Sequence, residues 1–108
     1  MIYLAGPYSH PDTDIRRERY EQLTAYAGRL MASGKHVFSP ITHSHPIAVT
    51  GGLPLDWEYW QEYDRKIMSV CTEMHVLMLP GWKESKGVSA ELQLARELDL
   101  PIHMDILA

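Results

Sequence analysis

The sequence predicts an α/β fold of the flavodoxin or Rossmann-like kind: three layers, with a four-stranded parallel sheet of order 2-1-3-4 and helices on both faces. Three observations carry that prediction. Short apolar runs stand at residues 2–6, 36–39, 74–79 and 102–107, segments with helical spacing of apolar residues lie between them, and Gly or Pro closes most of the runs. Strands that alternate with helices call for parallel pairing through right-handed crossovers.

The first run, IYLAG, is apolar throughout and ends in Gly6-Pro7, as a strand buried on both faces should. Asp12 or Thr13 can cap the helix that follows. Its apolar positions Tyr20, Leu23, Ala27, Leu30 and Met31 keep helical spacing until Gly34 stops it, and its polar face, beginning RRER, reads as solvated. HVFS at 36–39 is the second strand, ended by Pro40. Residues 40–54 hold three prolines, two glycines and two histidines without a period, which predicts a long loop, and a loop of that length in a small domain is often functional. Pro54 and Asp56 open a helix running to about Cys71, and MHVLML at 74–79 is the strongest buried-strand signal. After the loop GWKESKG, a helix from about Val88 to Leu98 precedes Pro101 and the last strand, IHMDIL.

At 108 residues, with 45% hydrophobic and 22% charged side chains, the chain is read as one globular domain over 1–108 without disordered tracts. A formal charge of -4 and no Lys/Arg run argue against a partner such as duplex nucleic acid, which is bound by phosphate neutralisation. No apolar run approaches a membrane span, and MIYLAGPYS has no basic segment of the kind that opens a signal peptide, so the expected location is cytoplasmic. Cys71 is the only cysteine; its apolar stripe marks it as a buried hydrophobe in a reducing compartment.

Two acids fall where their helices should be apolar. Asp64 lies in line with Trp57, Trp60, Ile67, Met68 and Cys71, and Glu91 with Val88, Leu94, Ala95 and Leu98. An ionised carboxylate in apolar surroundings costs several kcal/mol unless it is paired or neutralised, which a shared active-site pocket would explain. The rival explanation is structural pairing with an arginine or a backbone donor. In a sheet of order 2-1-3-4 the crevice lies beyond the carboxyl ends of strands 1 and 3, where the chain reverses direction. Gly6, Pro7 and Tyr8 follow strand 1, His43 and His45 follow strand 2, and Trp82, Ser85 and Gly87 follow strand 3.

In SKGVSAE, Gly87 allows close backbone approach, Ser85 and Ser89 offer hydroxyls, and the helix N-terminus presents free N–H groups to an anion. Either serine can equally be a simple helix cap. The glycine spacing is neither the ATPase nor the dinucleotide pattern, so no cofactor is expected. His43 and His45 lack a third ligand at suitable spacing and are read as hydrogen-bonding to ligand or loop, with no metal. The aromatics Trp57, Trp60, Tyr63 and Trp82 suit core or interface, with one or two free to stack on a flat ring.

Taken together, IYLAGP at the start, Asp64 ahead of a buried strand, and S-K-G-V-S-A-E-L-x-x-A resemble the nucleoside 2-deoxyribosyltransferase superfamily over nearly the whole chain. HSHP and LPGWxxSKG are similar to segments of its short bacterial and phage members of unknown function. The resemblance implies N-glycosidic bond hydrolysis or deoxyribosyl transfer on a small-molecule nucleotide or nucleoside. It implies Glu91 as the nucleophile that forms a glycosyl-enzyme intermediate, Asp64 as the group assisting the departing base, and Tyr3 as the residue positioning the glutamate. By the same resemblance Gly6 lines the sugar or phosphate site and Ser85 contacts a 5'-phosphate. For these roles a raised pKa suits Asp64 and a low one suits Glu91. The pattern departs from the family at Pro7-Tyr8-Ser9-His10, which holds no arginine, and in the absence of a fifth strand and tail after the fourth. Two rival readings stand beside the enzyme: a nucleotide-binding or sensing module without turnover, and an interaction protein whose helix LDWEYWQEYD builds a homodimer or larger homo-oligomer.

Overall fold

The computed structural model describes residues 1–107. Four strands, β1 (Ile2–Ala5), β2 (Val37–Phe38), β3 (Glu73–Leu77) and β4 (Ile102–Asp105), form one parallel sheet in the order β2-β1-β3-β4. Four helices, α1 (Thr13–Ala32), α2 (Pro40–Gly51), α3 (Trp57–Met68) and α4 (Lys86–Glu97), complete the expected three-layer α/β fold.

The strands alternate sides as their two-residue period requires. Tyr3 and Ala5 of β1, with Met74 and Val76 of β3, meet Met68 at the end of α3 and Val88, Leu94 and Ala95 of α4. Ile2 and Leu4, with Leu77 and Val37, meet Leu23 and Ala27 of α1 and, at its margin, Ile41 of α2. Tyr3, Leu4, Leu23, Met68 and Met74 are fully buried, and each such side chain contributes roughly 1.5–3 kcal/mol of hydrophobic stabilisation. Cys71 is buried and free just beyond α3.

Local signals account for the helix ends. Asp12 caps α1 by accepting from the Asp14 N–H at 2.8 Å, and Gly34 follows at φ +94°, a left-handed position that glycine adopts without steric cost. Met31, expected on the inward stripe, is half exposed. The helix α3 stops at Met68, three residues before the expected end at Cys71.

The long loop expected over 40–54 is mostly a helix. Pro40 occupies the first turn of α2, where its missing N–H is unneeded, and Gly52 terminates it at φ +67°. Pro46 sits inside the helix on its exposed side and leaves the preceding turn short of one hydrogen bond. Ser44 and Ala48, four apart, supply the buried face. Among the described residues, no helix is long and apolar enough to cross a membrane.

Candidate active site

A cleft opens beyond the carboxyl ends of β1 and β3, and its volume is about 530 Å³ with the open mouth included. Gly6, Tyr8 and Ser9 form the floor and one wall; α2 adds Ile41, Ser44 and His45. The opposite wall is Leu55 and Asp56 with Trp57, Trp60 and Asp64 of α3, and α4 closes the end with Ser85, Gly87 and Glu91. Arg19 of α1 ties the two strand-end loops together, donating to the Ser9 carbonyl at 3.0 Å and to the Pro80 carbonyl at 3.2 Å. An exposed Lys86–Glu58 ion pair links α4 to α3.

The two acids lie deep in this cleft, each only 6% exposed. The Tyr3 hydroxyl, projecting from the central strand, donates a short hydrogen bond to Glu91 Oε2. Asp64 Oδ1 is buried without a hydrogen-bond partner among the described residues. A buried oxygen of that kind costs about 1–3 kcal/mol, or more when charged, and it belongs to a wall of the cleft. Burial pushes Asp64 up from 3.8 to about 7. Burial likewise raises Glu91 from 4.5 to about 8; the Tyr3 hydrogen bond lowers it and the Asp64 charge raises it further. The Asp64 shift has the direction expected of a proton donor. The low pKa expected of Glu91 is not found, because one hydroxyl donor does not offset burial beside a like charge. The Tyr3 phenol is held well above its ordinary value, first by burial and then by the Glu91 charge, so it stays a donor.

The polar wall is similarly ordered. Tyr8 Oη bonds His45 Nδ1, and His45 also stacks on Tyr20 with centroids 4.2 Å apart. Burial lowers the His45 pKa, which favours the neutral imidazole. Ser85 Oγ caps α4 by accepting from the Val88 N–H at 3.2 Å, so the plain capping role holds for a residue that also lines the cleft.

Of the residues singled out from sequence, Gly6, Tyr8, His45, Asp64, Ser85, Gly87 and Glu91 come together here, with Tyr3 behind Glu91. Four others lie outside the lining. Pro7 is fully buried, His43 hydrogen-bonds Tyr63 at 3.0 Å, Trp82 packs against the α3/α4 core, and Ser89 is exposed. Sequence reasoning missed Ser44 because α2 was read as a loop. It also missed Arg16, which lines a shallower recess continuous with the cleft through Ser9, Leu55 and Asp56. Trp57 and Trp60 carried a readable signal, since they share the Asp64 stripe at helical spacing.

No curated protein matches the chain. The profile of the family described as Domain of unknown function (DUF1937) matches residues 1–104, nearly the whole length, and the chain belongs to that family.

Proposed function

We propose that the protein cleaves or exchanges the N-glycosidic bond of a nucleotide or nucleoside, with Glu91 as nucleophile and Asp64 as acid. One observation carries this reading: two buried carboxyl groups from neighbouring helices share one cleft, one oriented by Tyr3 and the other with an oxygen left for a ligand. The resemblance to nucleoside 2-deoxyribosyltransferases supports the same roles.

In the reaction, the Glu91 carboxylate attacks the anomeric carbon as the bond from that carbon to the base nitrogen breaks. The base takes the proton of the Asp64 carboxyl and leaves a glycosyl ester on Glu91. Water or a second base, giving a proton to the Asp64 carboxylate, then attacks the same carbon and frees Glu91. Both steps pass through a cation-like sugar that either carboxylate stabilises. Burial raises both carboxyls, so near neutral pH the pair retains a proton, and the reactive form is the one with that proton on Asp64 and Glu91 ionised, which the Tyr3 hydrogen bond to Glu91 favours.

Trp57 and Trp60 offer flat apolar surface for a base. The N-terminus of α4 at Ser85 and Gly87, with Arg16 in the adjoining recess, supports a 5'-monophosphate substrate. Tyr59 and Tyr63, both exposed on α3, support a homo-oligomer built on that helix.

Chromatography of free base from a panel of deoxynucleosides and their 5'-monophosphates tests the proposal, with wild type beside Glu91→Ala. Base release that the variant loses by about a thousandfold or more is the expected result. Binding without release, even with an acceptor base present, would replace the enzyme by a nucleotide-sensing module.

A further inference from the structure

Away from the cleft, on the α1 face of the sheet, a second group of titratable side chains gathers where β3 meets the edge strand β4. Parallel pairing sets His75 directly beside His103, and the two-residue strand period brings Glu73 and Asp105 to the same side. The rings of His75 and His103 stack with centroids 4.5 Å apart, and Glu73 Oε1 lies 2.9 Å from His75 Nε2. The other nitrogen of His75, Nδ1, lies 2.7 Å from Asp105 Oδ2, and that oxygen also accepts from the Tyr26 hydroxyl at 2.7 Å.

We propose that Glu73, His75 and His103 bind one divalent transition-metal ion of the zinc type. The donor set, two imidazoles and one carboxylate, suits such an ion rather than magnesium or calcium. The donor atoms of the three residues already lie within 4.8 Å of one another. Zinc arms of about 2.0–2.1 Å at the tetrahedral angle place donors roughly 3.4 Å apart, so the Glu73–His75 pair, at 2.9 Å, opens slightly and a small contraction on the His103 side closes the site. His103 is exposed and supplies it by turning its ring.

The surroundings of His75 argue for an ion over a plain polar cluster. A buried imidazole whose Nδ1 is hydrogen-bonded to a carboxylate, itself fixed by a tyrosine, is the arrangement that orients metal-binding histidines and sets which nitrogen takes the metal. The other nitrogen, Nε2, faces Glu73 and is the one the ion would take. On binding, the ion takes the place of the proton shared between Nε2 and Glu73, that proton passes to solvent, and water fills the remaining position. Two carboxylates, Glu73 and Asp105, balance the charge of the ion. The ion would then pin the edge strand to β3 and, through Asp105 and Tyr26, to α1.

Calorimetric titration of the chelator-treated full chain with zinc chloride tests the site, with Co(II) absorption reporting nitrogen ligation. One ion per chain is expected, with a rise in Tm. His103→Ala changes an exposed side chain and Glu73→Gln a partly exposed one that keeps its shape, so the fold should persist by circular dichroism, and each should weaken zinc binding by about tenfold or more. Asp105→Asn should weaken it by about 10–100-fold while leaving the stoichiometry unchanged. His43→Ala/His45→Ala should bind zinc like wild type. Absence of stoichiometric binding, or a loss below tenfold in His103→Ala and Glu73→Gln together, would overturn the proposal. Neither result bears on base release at Glu91.

Discussion

Replacing Asp64 by asparagine should make the protein less active and, above neutral pH, more stable. The carboxyl rises from 3.8 to about 7 on folding because it is buried. A carboxyl whose native pKa is raised binds more protons folded than unfolded between those two values, so stability falls as pH rises from about 4 to about 7 and is then level. The full penalty is about three units, or roughly 4 kcal/mol. An amide of nearly the same shape carries no charge and escapes that penalty, although it too is buried and costs about 1–3 kcal/mol if unpaired. That second cost is the same at every pH, so it cancels in a comparison across pH. Between about pH 5 and about pH 9, Asp64→Asn should therefore gain roughly 2–3 kcal/mol on wild type. Loss of the Asp64 charge also lowers the pKa of Glu91, which adds to the gain. Urea unfolding of both proteins at three pH values reads the difference directly. Parallel stability curves would refute the reasoning, because they would mean that Asp64 is not a desolvated acid in the native state.

The remaining predictions follow from the same geometry. Tyr3→Phe removes the donor to Glu91 Oε2, so the Glu91 pKa should rise further and the rising limb of the pH–rate profile should move to higher pH, with a stability loss of about 1–3 kcal/mol. A profile that keeps its position would show that the hydroxyl does not act on Glu91. Gly87→Ala places a methyl 4.0 Å from Glu91 Oε1 and 3.9 Å from Ser85 Oγ, without a clash, in the first turn of α4. Thermal unfolding should show unchanged or slightly raised stability, by up to about 1 kcal/mol, while base release falls through a higher KM. Gly6→Ala should be destabilising by about 1–3 kcal/mol in chemical denaturation, since its Cβ would stand 2.6 Å from Cδ2 of the fully buried Leu23.

Much of this fold is legible in the sequence because its two central strands, β1 and β3, are largely apolar. MHVLML leaves little choice but a central buried strand, and IYLAG at the N-terminus leaves little but its neighbour. Helix α2 was not legible: Pro40, Pro46 and the Gly51-Gly52 pair are the residues that usually mark a loop, and its burial comes from tertiary contact with α1 and β1 rather than from intrinsic preference. Arg16 and Arg19 of α1 were misread for a different reason. On a helical wheel Arg19 lies among solvated residues, yet the strand-end loops fold back over the start of α1 and give its guanidinium three carbonyls. The Glu73–His75–His103 cluster depends on the register of two strands far apart in sequence, which no local pattern reveals.

Helical spacing predicted that Asp64 and Glu91 each face inward, but it is silent on whether they face the same space. Sheet order supplies the missing step. In the order β2-β1-β3-β4 the chain moves one way from β1 to β2, then the other way from β2 to β3 and from β3 to β4. If every crossover has the usual hand, a reversal of direction also reverses the face on which the connecting helix lies. Helix α1 must then cover one face, while α3 and α4, belonging to the two connections that run the same way, must share the other. The cores obey this: α1 packs with Ile2 and Leu4, and α3 and α4 pack with Tyr3 and Ala5. Two inward acids on α3 and α4 are thereby committed to one side of the sheet, and an odd-numbered residue of β1 is committed to meet them. Tyr3 is that residue, so the Tyr3–Glu91 bond and the neighbouring Asp64 are a consequence of strand order and crossover hand acting on two helical stripes.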